Sequence, residues 1–386
     1  MTTTQLSIVQ SPTTGVSTRV EGWECGLVTP EIVWKGVIGA VRAVIAGDDQ
    51  RELIKITVGG DVLSDHAVMP APDGSESPDE WLTRMQQKFG AETPILLYAR
   101  ELPTHERSLF DLLVSAFGRP VFEEHGLVRG NIDIEVFLGE YRATPGGIHR
   151  EQCGNSHFVL QGRKYMHFWH GEDWIPKTAG WRAAEGDNAI DPEEYLPSLQ
   201  VPEVVDCGTS LIASAGEFFT WDPGTWHVAE TVGPAFAVNI ARYTRSFIPG
   251  EGTYPFAAEP DGRVSIEWLE GYRDFLGGGA DLALALAAAS AYGLAGADPE
   301  CKETTDPRRV AVSSHARRLW HETRGSVQVA AHGRSGVFSA SVLPWLVGLA
   351  DLPYGAECEV PVDPDTRALA RFLVENNSLR AVQGLV

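Results

Sequence analysis

Between residues 131 and 248 the chain runs in short bursts rich in β-branched and aromatic residues: IDIEVFLGEY, SHFVLQGRKYMHFW, TSLIASAGEFFTW and PAFAVNIARYT. Turn signals separate them, at Thr144-Pro145-Gly146-Gly147, Gln161-Gly162, Asp222-Pro223-Gly224 and Gly233-Pro234. Short strands at this rhythm predict a sandwich or barrel. In the last burst Phe236, Val238 and Ile240 alternate with Ala237, Asn239 and Ala241, so one face is small and polar, as a ligand-lined interior requires. The stretch from 170 to 202 has little periodicity and reads as a long excursion from the barrel, the kind of loop that often binds.

The flanks differ. Residues 1–130 mix short strands with helices and are expected to support the core. LIKITVGGDVL begins with strand-like alternation and ends at Gly59-Gly60, APDGSESPDE reads as a loop, and Leu109, Leu112, Leu113 and Phe117 fall on one helical face. From 262 to 386 helices return, in VSIEWLEGYRDFL, ADLALALAAASAYGL, ASVLPWLVGLA and DTRALARFLVENNSL. With the strand-like SVQVAAHG before them, the last two resemble a winged-helix-like unit. Arg308, Arg309, Arg317, Arg318 and Arg324 read as a solvated helix face. ADLALALAAASAYGL is apolar nearly all round and must be buried, so this region is expected to mediate self-association, as a homodimer, or substrate docking.

Composition narrows the classes. With 43% hydrophobic and 22% charged residues the chain can bury a core. No apolar run approaches the roughly 18 residues of a membrane span, and the N-terminus lacks a signal-peptide layout. Five scattered cysteines, none in a CxxC pair, fit reduced thiols in a cytoplasmic protein. A net charge of −21 repels phosphate, which argues against nucleic acid and favours a neutral or cationic substrate.

The chemistry concentrates in Pro145-Gly146-Gly147-Ile148-His149-Arg150-Glu151. In extended chain His149 and Glu151 point to the same side. An imidazole and a carboxylate aimed at one point are two thirds of a two-His-one-carboxylate triad, which leaves three iron(II) positions open. A third ligand should come from a later strand. His227, just past the Asp222-Pro223-Gly224 turn in GEFFTWDPGTWHVAE, can be returned to the barrel mouth.

These residues carry a resemblance. HREQCGNSHFVLQGRKYMHFW and AGEFFTWDPGTWHVAE…AFAVNIARY resemble, in order and spacing, the JmjC-type and cupin-like Fe(II)- and 2-oxoglutarate-dependent oxygenases over about a third of the chain. The resemblance implies a mixed α+β fold with a double-stranded β-helix (jelly-roll) core, flanking helices and a C-terminal helical region similar to that of bacterial ribosomal-protein hydroxylases. It implies iron on His149, Glu151 and His227. It implies Lys164 paired with the distal carboxylate of 2-oxoglutarate, Asn155 and Asn239 lining the co-substrate pocket, and a hydroxyl from Tyr141 or Thr144. The implied reaction uses O2 and 2-oxoglutarate, releases succinate and CO2, and hydroxylates an amino-acid side chain in a peptide or protein, or an amino-acid-derived natural-product precursor. Two departures matter. Glu151 replaces the commoner Asp, which leaves N-demethylation as an alternative, and Gly146-Gly147-Ile148 blurs the alignment of Thr144. A non-catalytic cupin binding or regulatory protein, and a cupin enzyme using another metal without 2-oxoglutarate, are the remaining readings. His157, His167 and His170 are expected to be structural, Cys153 stays outside the ligand set because a thiolate would change it, and Trp174 and Trp181 are the better substrate contacts among the tryptophans.

Overall fold

The structure, a computed structural model, describes residues 19–22, 29–46, 54–63, 72–100, 102–110, 132–144, 146–151, 153–180, 182–183, 193–242, 261–275, 281–291, 306–313, 318–353 and 355–382. Contacts divide the chain into two units, one within residues 1–106 and 132–247, the other within 107–131 and 248–386. Among the described residues no helix is long and apolar enough to cross a membrane.

In the first unit the β-rich bursts become strands because their period-2 pattern gives each an apolar face to bury. They are β1 (Arg19–Gly22), β2 (Ile54–Val58), β3 (Asp61–Leu63), β4 (Ile95–Ala99), β5 (Ile132–Glu140), β6 (His149–Arg150), β7 (Gly154–Gln161), β8 (Arg163–Trp169), β9 (Arg182–Ala183), β10 (Glu194–Tyr195), β11 (Thr209–Ser214), β12 (Glu217–Trp221), β13 (Trp226–Thr231) and β14 (Ala235–Arg242). One sheet runs β1-β12-β7-β14-β5-β4-β2-β3 and the other β11-β8-β13-β6-β10-β9. The segments β5–β14–β7–β12 and β6–β13–β8–β11, with the chain passing back and forth between them, have the strand order of a jelly roll. Residues from both sheets meet in one cluster, with Val159, Phe219 and Trp221 packed against Met166, Phe168 and Ala229.

The N-terminal strands β4, β2 and β3 extend the larger sheet beyond β5, with Ile56 and Leu97 fully buried. Helix α1 (Pro30–Ala46) buries Val33, Trp34, Val37, Ile38 and Val41, a 3–4 spacing that the sequence reading did not single out. Its Trp34 meets Phe236 of β14 edge-on at 6.2 Å. Helix α2 (Pro78–Phe89) starts inside the segment read as a loop. Ser77 and Glu80 form a reciprocal capping box with Pro78 at the first turn, so APDGSESPDE contains a helix start. The β4–β5 seam is tight at Gly139, where an added Cβ would collide with the Ile95 carbonyl oxygen. Gly139→Ala is expected to lower stability by about 1–3 kcal/mol, read as a shifted denaturant midpoint. An unchanged midpoint would mean the seam relaxes freely.

The second unit is mixed rather than helical. Strands β15 (Arg309–Val312), β16 (Arg318–Thr323), β17 (Ser326–Ala331), β18 (Arg334–Ser339), β19 (Glu357–Glu359) and β20 (Leu379–Ala381) form two three-stranded antiparallel sheets, β16-β17-β18 and β19-β15-β20. A four-residue turn of helix, α3 (Val201–Val204), belongs to the first unit; α4 (Ile266–Phe275), α5 (Leu282–Ser290), α6 (Leu343–Ala350) and α7 (Pro364–Glu375) belong to the second. Arg309 and Arg318 therefore lie on strands, not on a helix face. The order expected at the end of the chain, the strand-like SVQVAAHG and then two helices, is present, with β17 in a three-stranded meander ahead of α6 and α7; this order alone does not make the unit a winged helix. Apolar α5 is packed within its own unit, with Leu286 and Ala289 against Trp268, Leu269, Leu319 and Ala330, so its composition needs no second chain. The predicted helix through Leu112, Leu113 and Phe117 lies outside the described residues, as do Cys25, Cys301 and Trp181.

Candidate metal centre and its cavity

The site starts from a two-glycine turn. Gly146 and Gly147 adopt positive φ (95° and 71°), which glycine reaches without strain, and Gly147 N–H closes the turn on Thr144 C=O at 2.9 Å. A side chain at Gly146 would run into the Tyr195 ring. The turn delivers His149 onto β6, and in the β6–β13 ladder His149 lies directly opposite His227. Their rings are 4.3 Å apart. The turn that carries His227 is tied to the first motif, since Gly224 N–H donates to Glu151 C=O at 2.6 Å. One ligand atom from each of His149, Glu151 and His227 lies within 4.8 Å of the others, and these three could hold a metal ion.

Their surroundings suit that role. Nδ1 of His149 is 2.9 Å from Gly147 C=O, and Nδ1 of His227 is 2.9 Å from Thr225 C=O. A carbonyl only accepts, so each Nδ1 carries the proton and each Nε2 keeps its lone pair for a ligand. Glu151 Oε1 faces His149 Nε2 at 3.7 Å, while its Oε2 accepts from Asn155 Nδ2 at 3.2 Å and from the Cys153 thiol at 3.3 Å. Burial raises the Glu151 carboxyl, but the positive charge that His149 and His227 can carry outweighs it and holds the group below the usual carboxylate range, and Glu151 in turn raises His149 against its burial; a bound cation would take the place of that charge. Burial, then the neighbouring His149, lowers His227. An ionised carboxylate and a neutral imidazole are the forms a metal takes.

A cavity of about 450 Å³ opens on the triad. Asn239 lines it and donates to Asn155 Oδ1 (2.7 Å) and Glu135 Oε2 (2.9 Å). Tyr98 donates to the same Glu135 carboxylate. A hydrogen-bonded chain thus runs Tyr98–Glu135–Asn239–Asn155–Glu151. Thr144 also lines the cavity. Tyr141 is buried nearby, and Lys164 Nζ sits 5.4 Å from its ring centre. The hydroxyls of Tyr141 and Thr144 are buried with no hydrogen-bond partner, as donors waiting for an acceptor would be. Burial also pushes the Tyr141 phenol up, so it stays protonated.

Lys164 is fully buried on β8 and is not itself a lining residue. Its Nζ is 2.8 Å from His157 Nε2 and 4.9 Å from the Phe137 ring centre, and both of those residues line the cavity. His157, read as structural from sequence, therefore stands between two roles: it holds the lysine and faces the cavity. His167 turns away, bonding Ser210 at 2.7 Å. Trp174 is not a lining residue; it stacks on Trp169 at 5.1 Å and meets Trp226 edge-on. Among the described residues, the tryptophan that lines the cavity is Trp221.

The excursion contributes after all, through other residues. Tyr195 of β10 pairs with His149 and stacks on its ring at 5.7 Å, and Glu193 and Pro197 line the cavity beside it. Arg150 anchors this strand by ion pairs to Glu172 (2.9 Å) and Glu194 while lying over the Trp226 ring. Tyr195, Glu193, Lys55, Tyr98, Arg100 and Glu135 were not recognisable from sequence. The alternation of β2 does put Lys55 and Thr57 on one face, but nothing local says which cavity that face meets.

Fold and site together define a jelly-roll protein with a candidate metal centre of two histidines and one carboxylate. No family model matches the chain, and no curated protein matches it in sequence. Among solved structures, YcfD from Escherichia coli, a ribosomal oxygenase, aligns over 95% of both chains with 11% identity and a TM-score of 0.43. YcfD in complex with cobalt and succinic acid aligns over 94% of both chains at 12% identity and a TM-score of 0.43. The complex with cobalt and 2-oxoglutarate aligns over 92% of this chain and 91% of that one, at 11% identity and a TM-score of 0.39. These likenesses are too distant to assign the chain a family.

Proposed function

We propose that the first unit is an Fe(II)- and 2-oxoglutarate-dependent oxygenase that hydroxylates a C–H bond of an amino-acid side chain, in a peptide, a protein or an amino-acid-derived molecule. The observation that carries the reading is the triad: His149 opposite His227, Glu151 beside them, and both Nδ1 atoms pinned so that the Nε2 atoms face one point. The two unpartnered hydroxyls of Tyr141 and Thr144 and the buried Lys164 support an acidic co-substrate next to it. When bound, iron and 2-oxoglutarate would supply the oxidation, 2-oxoglutarate and O2 giving succinate, CO2 and the hydroxylated product. This chain's part is to hold and orient. Asn155 and Cys153 fix the outer oxygen of Glu151, the backbone carbonyls set the imidazole tautomers, and Met166, Trp221 and Ala229 keep the inner wall apolar against water.

Anaerobic titration with iron(II) and 2-oxoglutarate, followed by succinate measurement in air, tests the reading. A protein that binds both and forms no succinate with any candidate substrate would favour a binding role. Formaldehyde release would favour N-demethylation, which Glu151 leaves as the second outcome.

A pH dependence follows from Lys164. Burial brings its amine down to about 7. A carboxylate pairs with the protonated form, so above that pH binding must take up a proton. The affinity for 2-oxoglutarate is expected to be flat below neutrality and to weaken by up to roughly tenfold per pH unit above it. Lys164→Arg should flatten the profile, because guanidinium stays charged. A wild-type dissociation constant that does not move with pH would count against Lys164 as the partner.

A further inference from the structure

Besides the hydroxyls of Tyr141 and Thr144, a third polar hydrogen of this region is buried without an acceptor, the indole N–H of Trp221. Trp221 closes β12, and the pleat of that strand turns it inward together with Phe219, into the cluster between the sheets. It lines the cavity and is only 3% exposed. Two observations place it at the metal end. Its ring centre lies 4.8 Å from that of His227. In the β12–β7 ladder it stands opposite Asn155, the residue that donates to Glu151. Tyr141, in contrast, is within reach of Lys164, whose Nζ is 5.4 Å from its ring centre. A buried N–H left unpaired costs free energy, so an acceptor is expected when the site is filled. Indole nitrogen only donates, so the group it selects must be an acceptor.

A 2-oxo acid that chelates a metal uses its keto oxygen and one oxygen of the adjacent carboxylate. The second oxygen of that carboxylate stays off the metal, is buried with the rest, and needs a donor to offset its lost hydration. Asn155 is the amide on the same rung, but its Nδ2 already donates to Glu151 Oε2 at 3.2 Å and to Cys153 C=O at 3.4 Å, which engages both hydrogens. We propose that Trp221 Nε1–H is the donor to the carboxylate beside the keto group, and so a specificity-determining residue for the 2-oxo acid at the metal end, as Lys164 is expected to be at the far end. This rests on the oxygenase reading and adds to it a residue that neither the motif spacing nor the resemblance singled out. The two ends of the acid are then recognised by different chemistry: a neutral indole next to the metal, and a buried amine away from it.

Three acids separate the two ends. 2-Oxoglutarate carries both carboxylates, 2-oxopentanoate lacks the distal one, and 4-oxopentanoate keeps the ketone and the distal carboxylate but has a methyl group in place of the other. Dissociation constants are measured anaerobically on the full chain with iron(II), directly from the charge-transfer band for the first two acids and by competition for the third. Trp221→Phe keeps an aromatic ring against His227 and Phe168. It should weaken 2-oxoglutarate and 2-oxopentanoate by about tenfold or more, the worth of a hydrogen bond to a charged group, and leave 4-oxopentanoate within about twofold. Iron affinity without any acid should hold. The charge-transfer band should move to shorter wavelength, because the lost hydrogen bond no longer stabilises the ligand orbital that receives the electron; Lys164→Met should leave the band in place. Trp221→Leu is the second variant, with the same pattern expected, should the phenyl ring disturb the cluster. Equal losses for all three acids, or an equal loss of iron affinity, would mark a packing defect and overturn the proposal. Unchanged affinity for 2-oxoglutarate with an unmoved band removes the proposal alone. A wild-type chain that binds none of the acids with iron(II) removes the oxygenase reading and the proposal together.

Discussion

Alanine at His149, Glu151 or His227 is expected to abolish iron binding and succinate formation while leaving the fold intact. Each side chain offers one of three candidate ligand atoms gathered within 4.8 Å, so removing any one leaves two, too few for a facial triad. Even partners one shell out are typically worth roughly 10–100-fold in metal affinity, so loss of a direct ligand should exceed about a hundredfold. The fold should survive because the core beneath is carried by others, with Phe168, Phe219 and Trp221 packed between the sheets. Anaerobic iron titration with 2-oxoglutarate should give the weak visible charge-transfer band in the wild type and in none of the three variants, with circular dichroism unchanged in all. Full activity in Glu151→Ala would mean that the carboxylate is not a ligand.

The second large effect is expected at Lys164. If its ammonium pairs with the distal carboxylate of 2-oxoglutarate, Lys164→Met should weaken that co-substrate by about ten- to a hundredfold, the equivalent of a charge-assisted hydrogen bond of roughly 1.5–3 kcal/mol. A carboxylate left buried and unpaired could cost more. The side chain is fully buried, and Met keeps most of its volume against Phe137 and Tyr141, so packing changes little. The same substitution frees His157 Nε2, which now takes the lysine's hydrogen bond at 2.8 Å. His157→Phe separates the two effects: it removes that bond and keeps the cation. Iron affinity, measured alongside, should hold in both variants. Equal 2-oxoglutarate affinity in Lys164→Met and wild type would move the pairing to another cation, and Arg100 and Lys55 on the opposite sheet are the lining residues to try next.

How far these expectations were legible depends on how local each one is. The strands of 131–248 could be read because period 2 and turn chemistry are properties of a few consecutive residues. The same holds for His149 and Glu151, two positions apart in extended chain. The capping box at Ser77 and Glu80 was equally local and was missed, because its Ser, Pro and Asp residues also compose loops. The C-terminal strands β16 and β18 were missed for a different reason. RLWHET and RSGVFS alternate weakly, and Arg318 of the first fits a solvated helix face as well as a strand.

The sequence by itself determined that one segment presents an imidazole and a carboxylate to a common point, that a histidine follows a tight turn in a later strand, and that an apolar-and-small alternation marks the strand of Asn239. It could do so because strand pleat and turn geometry follow from neighbouring residues. Only the tertiary structure decided that His227 lies opposite His149, that Tyr195 stacks on that ring, that His157 holds Lys164, and that Lys55, Arg100 and Glu135 share a wall of the cavity. Those facts depend on sheet order and register, which are set by how distant strands bury their faces against each other. No window of consecutive residues contains them.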